Sequence, residues 1–237
     1  MPVAIVTGAS QGLGRALSLA LARDGWHLVV DARHEDPLRA AAADIDALGG
    51  SVTAIVGDVA DADHRRSLVD AATEHGRLDL LVNNASTLGP VPMPAVADYP
   101  PEELLKVYDV NVVAPIALTQ LALPLLTRSA GRVLNITSDA SVEPYEGWGG
   151  YGPSKAALDH VSRILAAELP DVPVYVVDPG DMRTQMHQDA FLGEDISDRP
   201  EPDSVVPALL AVIHGNLPSG RHRLSDVPAH VDAEATA

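Results

Sequence analysis

The stretch Val3-Ala4-Ile5-Val6-Thr7-Gly8-Ala9-Ser10-Gln11-Gly12-Leu13-Gly14-Arg15 sets a short apolar run directly against a glycine-rich turn. The turn runs directly into a helix predicted over Arg15–Arg23, closed by Asp24-Gly25. Four apolar residues bounded by glycine read as a strand buried on both faces. Glycines let backbone come close to a pyrophosphate, and a helix N-terminus offers free N–H groups and the positive end of its dipole. A tight strand–helix turn also wants glycine for its own sake, so this stretch alone leaves both readings open.

The same alternation continues outward. A second buried strand is predicted at Leu28–Val30, further strands at Val52–Val56, Leu78–Val82, Val133–Thr137, Val174–Val177 and Arg221–Leu224, and helices at Leu38–Leu48, Asp61–Glu74, Glu102–Arg128, Ser154–Leu169 and Asp203–His214. This is the pattern of a parallel sheet with right-handed crossovers. The long helix carries Pro115 and Pro124 and is expected to bend or break there. Leu88–Pro101 is a proline-rich loop, and 180–201 reads as a mobile segment over the active site. The tail from Pro228 is polar and small, and is expected to fray. No internal repeat divides the chain, so 1–237 is read as one domain.

Composition narrows the function. With 237 residues, 46% of them hydrophobic and 21% charged, the chain can bury a full core and is not disordered throughout. Absence of cysteine excludes disulfides, thiolate nucleophiles and zinc–thiolate sites. A formal charge of −17 argues against nucleic acid or anionic membrane as a partner. No basic leader is visible, and no stretch is expected to span a membrane, so the cytoplasm is the expected compartment. The nine histidines show no metal-ligand spacing, and no metal is expected; His222, between two arginines, reads as a solvated strand residue. Only two lysines occur, Lys106 and Lys155, against fourteen arginines.

Lys155 follows Tyr151 by four positions on a predicted helix, so the two side chains share a face. An unperturbed phenol titrates near about 10, too high to exchange protons well at neutrality, and an adjacent ammonium favours the phenolate. Tyr151 is therefore a candidate general acid or base. Ser138, at the end of a strand, can donate to an oxygen that gains charge, as Thr137 and Ser141 nearby could also. Asn111 sits inside a helix, where its amide competes with the backbone. Asp58 can open an Asx turn before the next helix.

Taken in order, the turn Gly8–Gly14 after Thr7, then Asn83-Asn84-Ala85-Ser86, Asn111, Ser138, Tyr151-Gly152-Pro153-Ser154-Lys155 and Pro179-Gly180-Asp181-Met182-Arg183-Thr184 resemble the short-chain dehydrogenase/reductase family across essentially the whole chain. Pro144-Tyr145-Glu146-Gly147-Trp148 and Ala32-Arg33 look like its sepiapterin reductase and benzil reductase branch. Ser86 stands where most of the family has glycine. The resemblance implies a Rossmann-type doubly wound parallel sheet of about seven strands, order 3-2-1-4-5-6-7. It implies hydride transfer between a nicotinamide and a carbonyl or alcohol, with Ser138, Tyr151, Lys155 and Asn111 as the catalytic set. Ser138 is selected over Thr137 and Ser141. Lys155 would also hold the nicotinamide ribose, and Asn111 would bend its helix and place a water that relays protons to Lys155.

The implied dinucleotide site comprises Gly8, Ser10, Gln11, Gly12, Leu13 and Gly14 at the diphosphate and Asp58 with Val59 at the adenine. Asn83 and Ala85 would line the same groove. Pro179, Gly180, Met182 and Thr184 would lie by the nicotinamide. Ala32 takes the position that discriminates the ribose and Arg33 the one that binds a 2′-phosphate, favouring NADP(H). Against this, Asp31 could turn toward the ribose, and Gln11 replaces a basic residue found in many NADP-dependent members, so NAD(H) stays open. Trp148, Met186 and Phe191 would face a small-molecule substrate. Asp226 lies roughly where sepiapterin reductases anchor the pterin. Pairing through helices Glu102–Arg128 and Ser154–Leu169 would give a homodimer or homotetramer. The alternatives are a catalytically silent dinucleotide-binding sensor or scaffold, and an epimerase or dehydratase using the same apparatus.

Overall fold

The computed structural model describes residues 1–228; beyond Pro228 the tail read as frayed lies outside the described residues. In chain order the elements are β1 (Val3–Val6), α1 (Gly12–Arg23), β2 (His27–Ala32), α2 (Glu35–Ala47), β3 (Ser51–Val56), α3 (Ala62–Glu74), β4 (Leu80–Asn83), α4 (Pro101–Tyr108), α5 (Ala114–Ser129), β5 (Arg132–Ile136), α6 (Tyr151–Glu168), β6 (Val174–Asp178), α7 (Gln185–Ala190), α8 (Val206–His214) and β7 (Gly220–Arg223). The seven strands form one parallel sheet in the order β3-β2-β1-β4-β5-β6-β7.

Every residue of β1 is buried. Alternate side chains serve opposite faces: Ala4 and Val6 join one core with Leu13, Leu17, Leu28 and Leu209, while Val3 and Ile5 join the other with Leu68, Leu118 and Leu126. A strand covered by helices on both sides has no polar face, which is why the fully buried β1, β4 and β6 are close to continuous apolar runs. Order reverses at β1, whose neighbours are β2 and β4. At that reversal the flanking loops diverge beyond the carboxyl ends of the strands and leave a crevice.

The long helix does not break at Pro115 or Pro124. It widens into a π turn at Asp109–Val113, between α4 and α5, while Pro115 occupies the first turn of α5 and Pro124 lies within it. The helical run 101–129 is also long and apolar enough to cross a membrane by length and composition. Half of its apolar window is buried, with Leu118, Ala122, Leu125 and Leu126 in the core, so it serves here as a core helix.

The segment 180–201 is not all loop: Thr184 caps α7 by accepting from the His187 N–H at 3.2 Å. Helix α8 starts later than predicted, after a 3-10 turn at Pro202–Ser204.

Candidate active site

The crevice at the strand reversal holds a cavity of about 300 Å³. One end is floored by the glycine-rich turn, where Gly8 and Gly12 have φ of +66° and +55°. Asn84 fastens this turn: its amide donates to the carbonyls of Thr7 (2.8 Å) and Gly8 (3.1 Å). Thr7 Oγ1 in turn accepts from the backbone N–H groups of Asn84 and Ala85, both at 3.0 Å. Gln11 precedes α1 without a side-chain cap, which leaves the first N–H groups of the helix for a ligand.

Ser10, Gln11, Gly12, Leu13, Ala32, Arg33, Asp58, Val59 and Ala85 all line this end. Arg33 stands exposed at the rim. Asp31, which could have turned toward a ribose, is committed elsewhere. Its carboxylate accepts from the Gly8 N–H and from His64 Nε2, both at 2.8 Å.

Two residues expected to line the groove do not. Asn83 is buried, and its amide donates to Asn135 Oδ1 at 2.7 Å and to Thr119 at 3.5 Å; Asn84 faces the cavity instead. Gly14 lies behind the turn. A Cβ on it would stand 2.5 Å from the Gly8 carbonyl and from the Asn84 amide. Gly14 is thus required by close packing of α1 against the turn.

The other end is set by β5 and α6. Ser138 lies just beyond β5 and caps the 3-10 turn Asp139–Ser141; its backbone carbonyl accepts from Arg221 at 3.2 Å. Tyr151 opens α6, and Lys155 lies one turn on, so the two side chains enter the cavity together. Lys155 Nζ donates to the Ile136 carbonyl at 2.9 Å and sits 5.5 Å from the Tyr151 ring centre.

The expected lowering of the phenol pKa by this ammonium is not found. Burial pushes Tyr151 above the ordinary phenol range. Hydroxyls of Ser138 and Ser86 pull it down, while the carboxylates of Asp139 and Asp178 push it up. Burial also pulls Lys155 down to about 8. In a site this dry, desolvation disfavours both charged forms and outweighs their mutual attraction.

Asn111 sits in the π turn, buried behind the cavity. Its amide donates to the Thr87 carbonyl and to Ser154 Oγ, both at 2.9 Å, and its oxygen accepts from Thr87 N (2.9 Å) and Ser86 Oγ (3.1 Å). It reaches Ser154, the neighbour of Lys155, by hydrogen bond.

Trp148, Met186, Leu88 and Ala190 build the apolar wall, together with the Tyr151 ring. Trp148 meets Tyr151 edge-on at 5.8 Å between centres, and Phe191 packs against Trp148 at the same distance, outside the cavity lining. Pro179, Gly180, Met182 and Thr184 complete the floor. Asp226 lies apart, in a shallow groove with Arg221, His222 and Arg223. Among the described residues no group of three potential ligands could hold a metal.

Three features of the site were missed in sequence: Asn84 as the clamp, the Asp31–His64 pair, and Asp139 beside Ser138. Gly57 carried a signal for the second, since a Cβ there would lie 2.1 Å from His64.

Comparison with known proteins agrees with this geometry. The short chain dehydrogenase family pattern matches residues 2–195. An uncharacterized oxidoreductase of Saccharomyces cerevisiae is 33% identical, with 98% of this chain and 88% of that protein covered. An alcohol dehydrogenase from the archaeon Thermococcus sibiricus, complexed with 5-hydroxy-NADP, superposes with a TM-score of 0.84 at 28% identity over 94% of this chain and 95% of that one. A short chain dehydrogenase structure from Escherichia coli CFT073, complexed with NADPH, gives 0.87 at 29% identity over 94% and 96%.

Proposed function

The chain belongs to the short-chain dehydrogenase/reductase family of oxidoreductases, and from that premise we propose that it is an NADP(H)-dependent carbonyl reductase. The observation that carries the proposal is the convergence of Ser138, Tyr151 and Lys155 at one end of a cavity whose other end is an uncapped helix N-terminus and Arg33.

The residues fit a dinucleotide. Backbone of Gly8, Ser10, Gln11, Gly12 and Leu13 would receive the diphosphate, which needs N–H donors and no side-chain bulk. Arg33, an exposed guanidinium, would meet a 2′-phosphate. Asp31 already accepts from the Gly8 N–H and from His64 Nε2, and Ala32 beside it offers a ribose hydroxyl no acceptor, which supports NADP(H) over NAD(H). Two of the solved relatives hold an NADP form. Asp58 and Val59 would flank the adenine, with Pro179, Gly180, Met182 and Thr184 by the nicotinamide. When bound, the reduced cofactor supplies the hydride.

The chain's own groups handle the oxygen. Ser138 steadies the carbonyl as it gains negative charge. Tyr151, a neutral phenol at the cavity wall, then donates the proton. Lys155 would hold the ribose hydroxyls, its ammonium lying 5.5 Å from the Tyr151 ring centre. Trp148, Leu88 and Met186 exclude water and seat an apolar body. Retention of Ser138, Tyr151 and Lys155 together in one cavity favours catalysis over a silent sensor. A homodimer or homotetramer is supported by exposed Leu105, Leu121 and Ile164 on α4, α5 and α6.

The test is a panel of diketones, quinones, pterins and simple ketones with NADPH and NADH. Turnover should prefer NADPH, and Tyr151→Phe should abolish it while leaving NADPH binding intact. A clear preference for NADH, or retained turnover in Tyr151→Phe, contradicts the assignment.

A further inference from the structure

Asp139 follows Ser138 and shares its cavity wall. The Ser138 hydroxyl donates to Asp139 Oδ1 at 2.9 Å, the Ala140 N–H donates to the same oxygen at 2.8 Å, and the Tyr145 hydroxyl donates to Oδ2 at 2.7 Å. Burial alone would raise this carboxyl. The hydrogen bonds from Tyr145, Ser138 and Ala140, together with Arg223, outweigh burial and hold it below the usual carboxylate range. An anion is therefore fixed against the hydroxyl that must polarise the substrate.

Ser138 has one proton, and an ionised carboxylate is a stronger acceptor than a neutral carbonyl. A bare ketone must take that proton from Asp139 and leaves the carboxylate short of a partner. A hydroxyl on the carbon next to the carbonyl removes the conflict. It donates to Asp139 as Ser138 turns to the carbonyl oxygen, so no hydrogen bond is lost. Asp139 Oδ2, with the Tyr145 hydroxyl as its recorded partner, has a lone pair for it. A carboxylate in that place would face Asp139 with like charge.

We propose that Asp139 is a specificity-determining residue, and that the cavity takes carbonyl compounds with a hydroxyl on the adjacent carbon and an apolar or aromatic body against Trp148. The inference rests on the carbonyl-reductase reading. Reduction forms one C–H bond with the hydride of NADPH, breaks the C=O π bond, and takes the oxygen's proton from Tyr151. The neighbouring hydroxyl is unchanged and the product is a vicinal diol.

The experiment compares 2-hydroxyacetophenone, 2-methoxyacetophenone and phenylglyoxylate with NADPH. Methoxy matches the hydroxyl's electron withdrawal and lacks its proton. Wild-type kcat/KM should favour hydroxy over methoxy by at least roughly tenfold, with phenylglyoxylate poorest. In Asp139→Ala the ratio should fall to within about twofold. Asp139→Asn, which keeps the size, should lower it by at least about threefold and serves if the alanine variant fails to fold. Binding gives a second reading: quenching of Trp148 fluorescence in the NADP⁺-loaded protein should show 1-phenyl-1,2-ethanediol binding more tightly than 1-phenylethanol, a gap lost in Asp139→Asn. A hydroxy-to-methoxy ratio near one in the wild type, or one unchanged in both variants, overturns the inference and leaves the reductase reading standing. No turnover of any of the three ketones, with NADPH binding intact, overturns the inference; the reductase reading falls only if the wider panel of diketones, quinones, pterins and simple ketones is also inert.

Discussion

His64 Nε2 lies 2.8 Å from Asp31 Oδ2, with both side chains buried, and the other Asp31 oxygen receives the N–H of Gly8 at 2.8 Å. A residue of α3 is thereby tied through the end of β2 to the turn that would carry the diphosphate. His64 packs so close to Gly57 that only glycine fits there. Removal of one partner from a buried polar pair leaves the other unsatisfied, typically at about 2–4 kcal/mol. Asp31→Ala should therefore lower unfolding stability by about that amount in urea titrations. It should also weaken NADPH binding, measured by fluorescence, although Arg33 is untouched. A double-mutant cycle with His64→Ala should show coupling of about 1–3 kcal/mol. Strict additivity would mean that the pair does not act as a unit.

Arg33 tests cofactor choice separately. Its guanidinium is exposed at the rim, so its loss should barely affect stability. Arg33→Ala should raise the Kd for NADPH by roughly tenfold or more and leave that for NADH within about twofold, because only the former carries a phosphate to pair with a fork of N–H donors. Equal weakening of both would place Arg33 outside the phosphate site.

Sheet and crossovers were readable because they depend on local patterns. Short β-branched apolar runs closed by a glycine turn, such as Val3–Val6, read as buried strands, and Tyr151 with Lys155 at helical spacing share a face. What stayed hidden depends on long-range pairing. Asn83 and Asn84 are adjacent and chemically identical, yet one turns into the core toward Asn135 and the other clamps the Gly8 turn. Asp31 meets His64 across 33 positions. The shift of Tyr151 was misjudged for a related reason: spacing shows that an ammonium is near, but only the assembled cavity shows how little water reaches either group.

Asn111 was placed in a helix, and the structure adds why that helix opens there. Its amide uses two donors and two acceptor positions on Thr87, Ser86 and Ser154. Asn111→Leu would fill a similar volume and strand those partners, so it should cost about 2–4 kcal/mol in thermal or urea unfolding. Asn111→Asp keeps the shape and the acceptor but loses both donors, and should fall between leucine and wild type. A neutral outcome for leucine would mean that the π turn holds without the amide.

Lys155 gives a stability signature with a definite sign. Its ammonium is almost wholly buried, and desolvation brings its pKa from 10.5 to about 8 in the folded state. A base whose folded pKa is depressed destabilises the native state while it is charged. The penalty is fully present below about pH 8, fades as pH rises, and is gone above 10.5, the unfolded value. Each pKa unit is worth about 1.4 kcal/mol, so the penalty amounts to about 3 kcal/mol. Other titrating groups cancel when the wild type is compared with Lys155→Met at each pH. The difference in unfolding free energy should move in favour of the wild type by up to about 3 kcal/mol between pH 8 and pH 10.5. Urea midpoints at four or so pH values across that window read it directly. A difference that stays flat would show that the ammonium remains hydrated, and the dry site invoked for Tyr151 would fail with it.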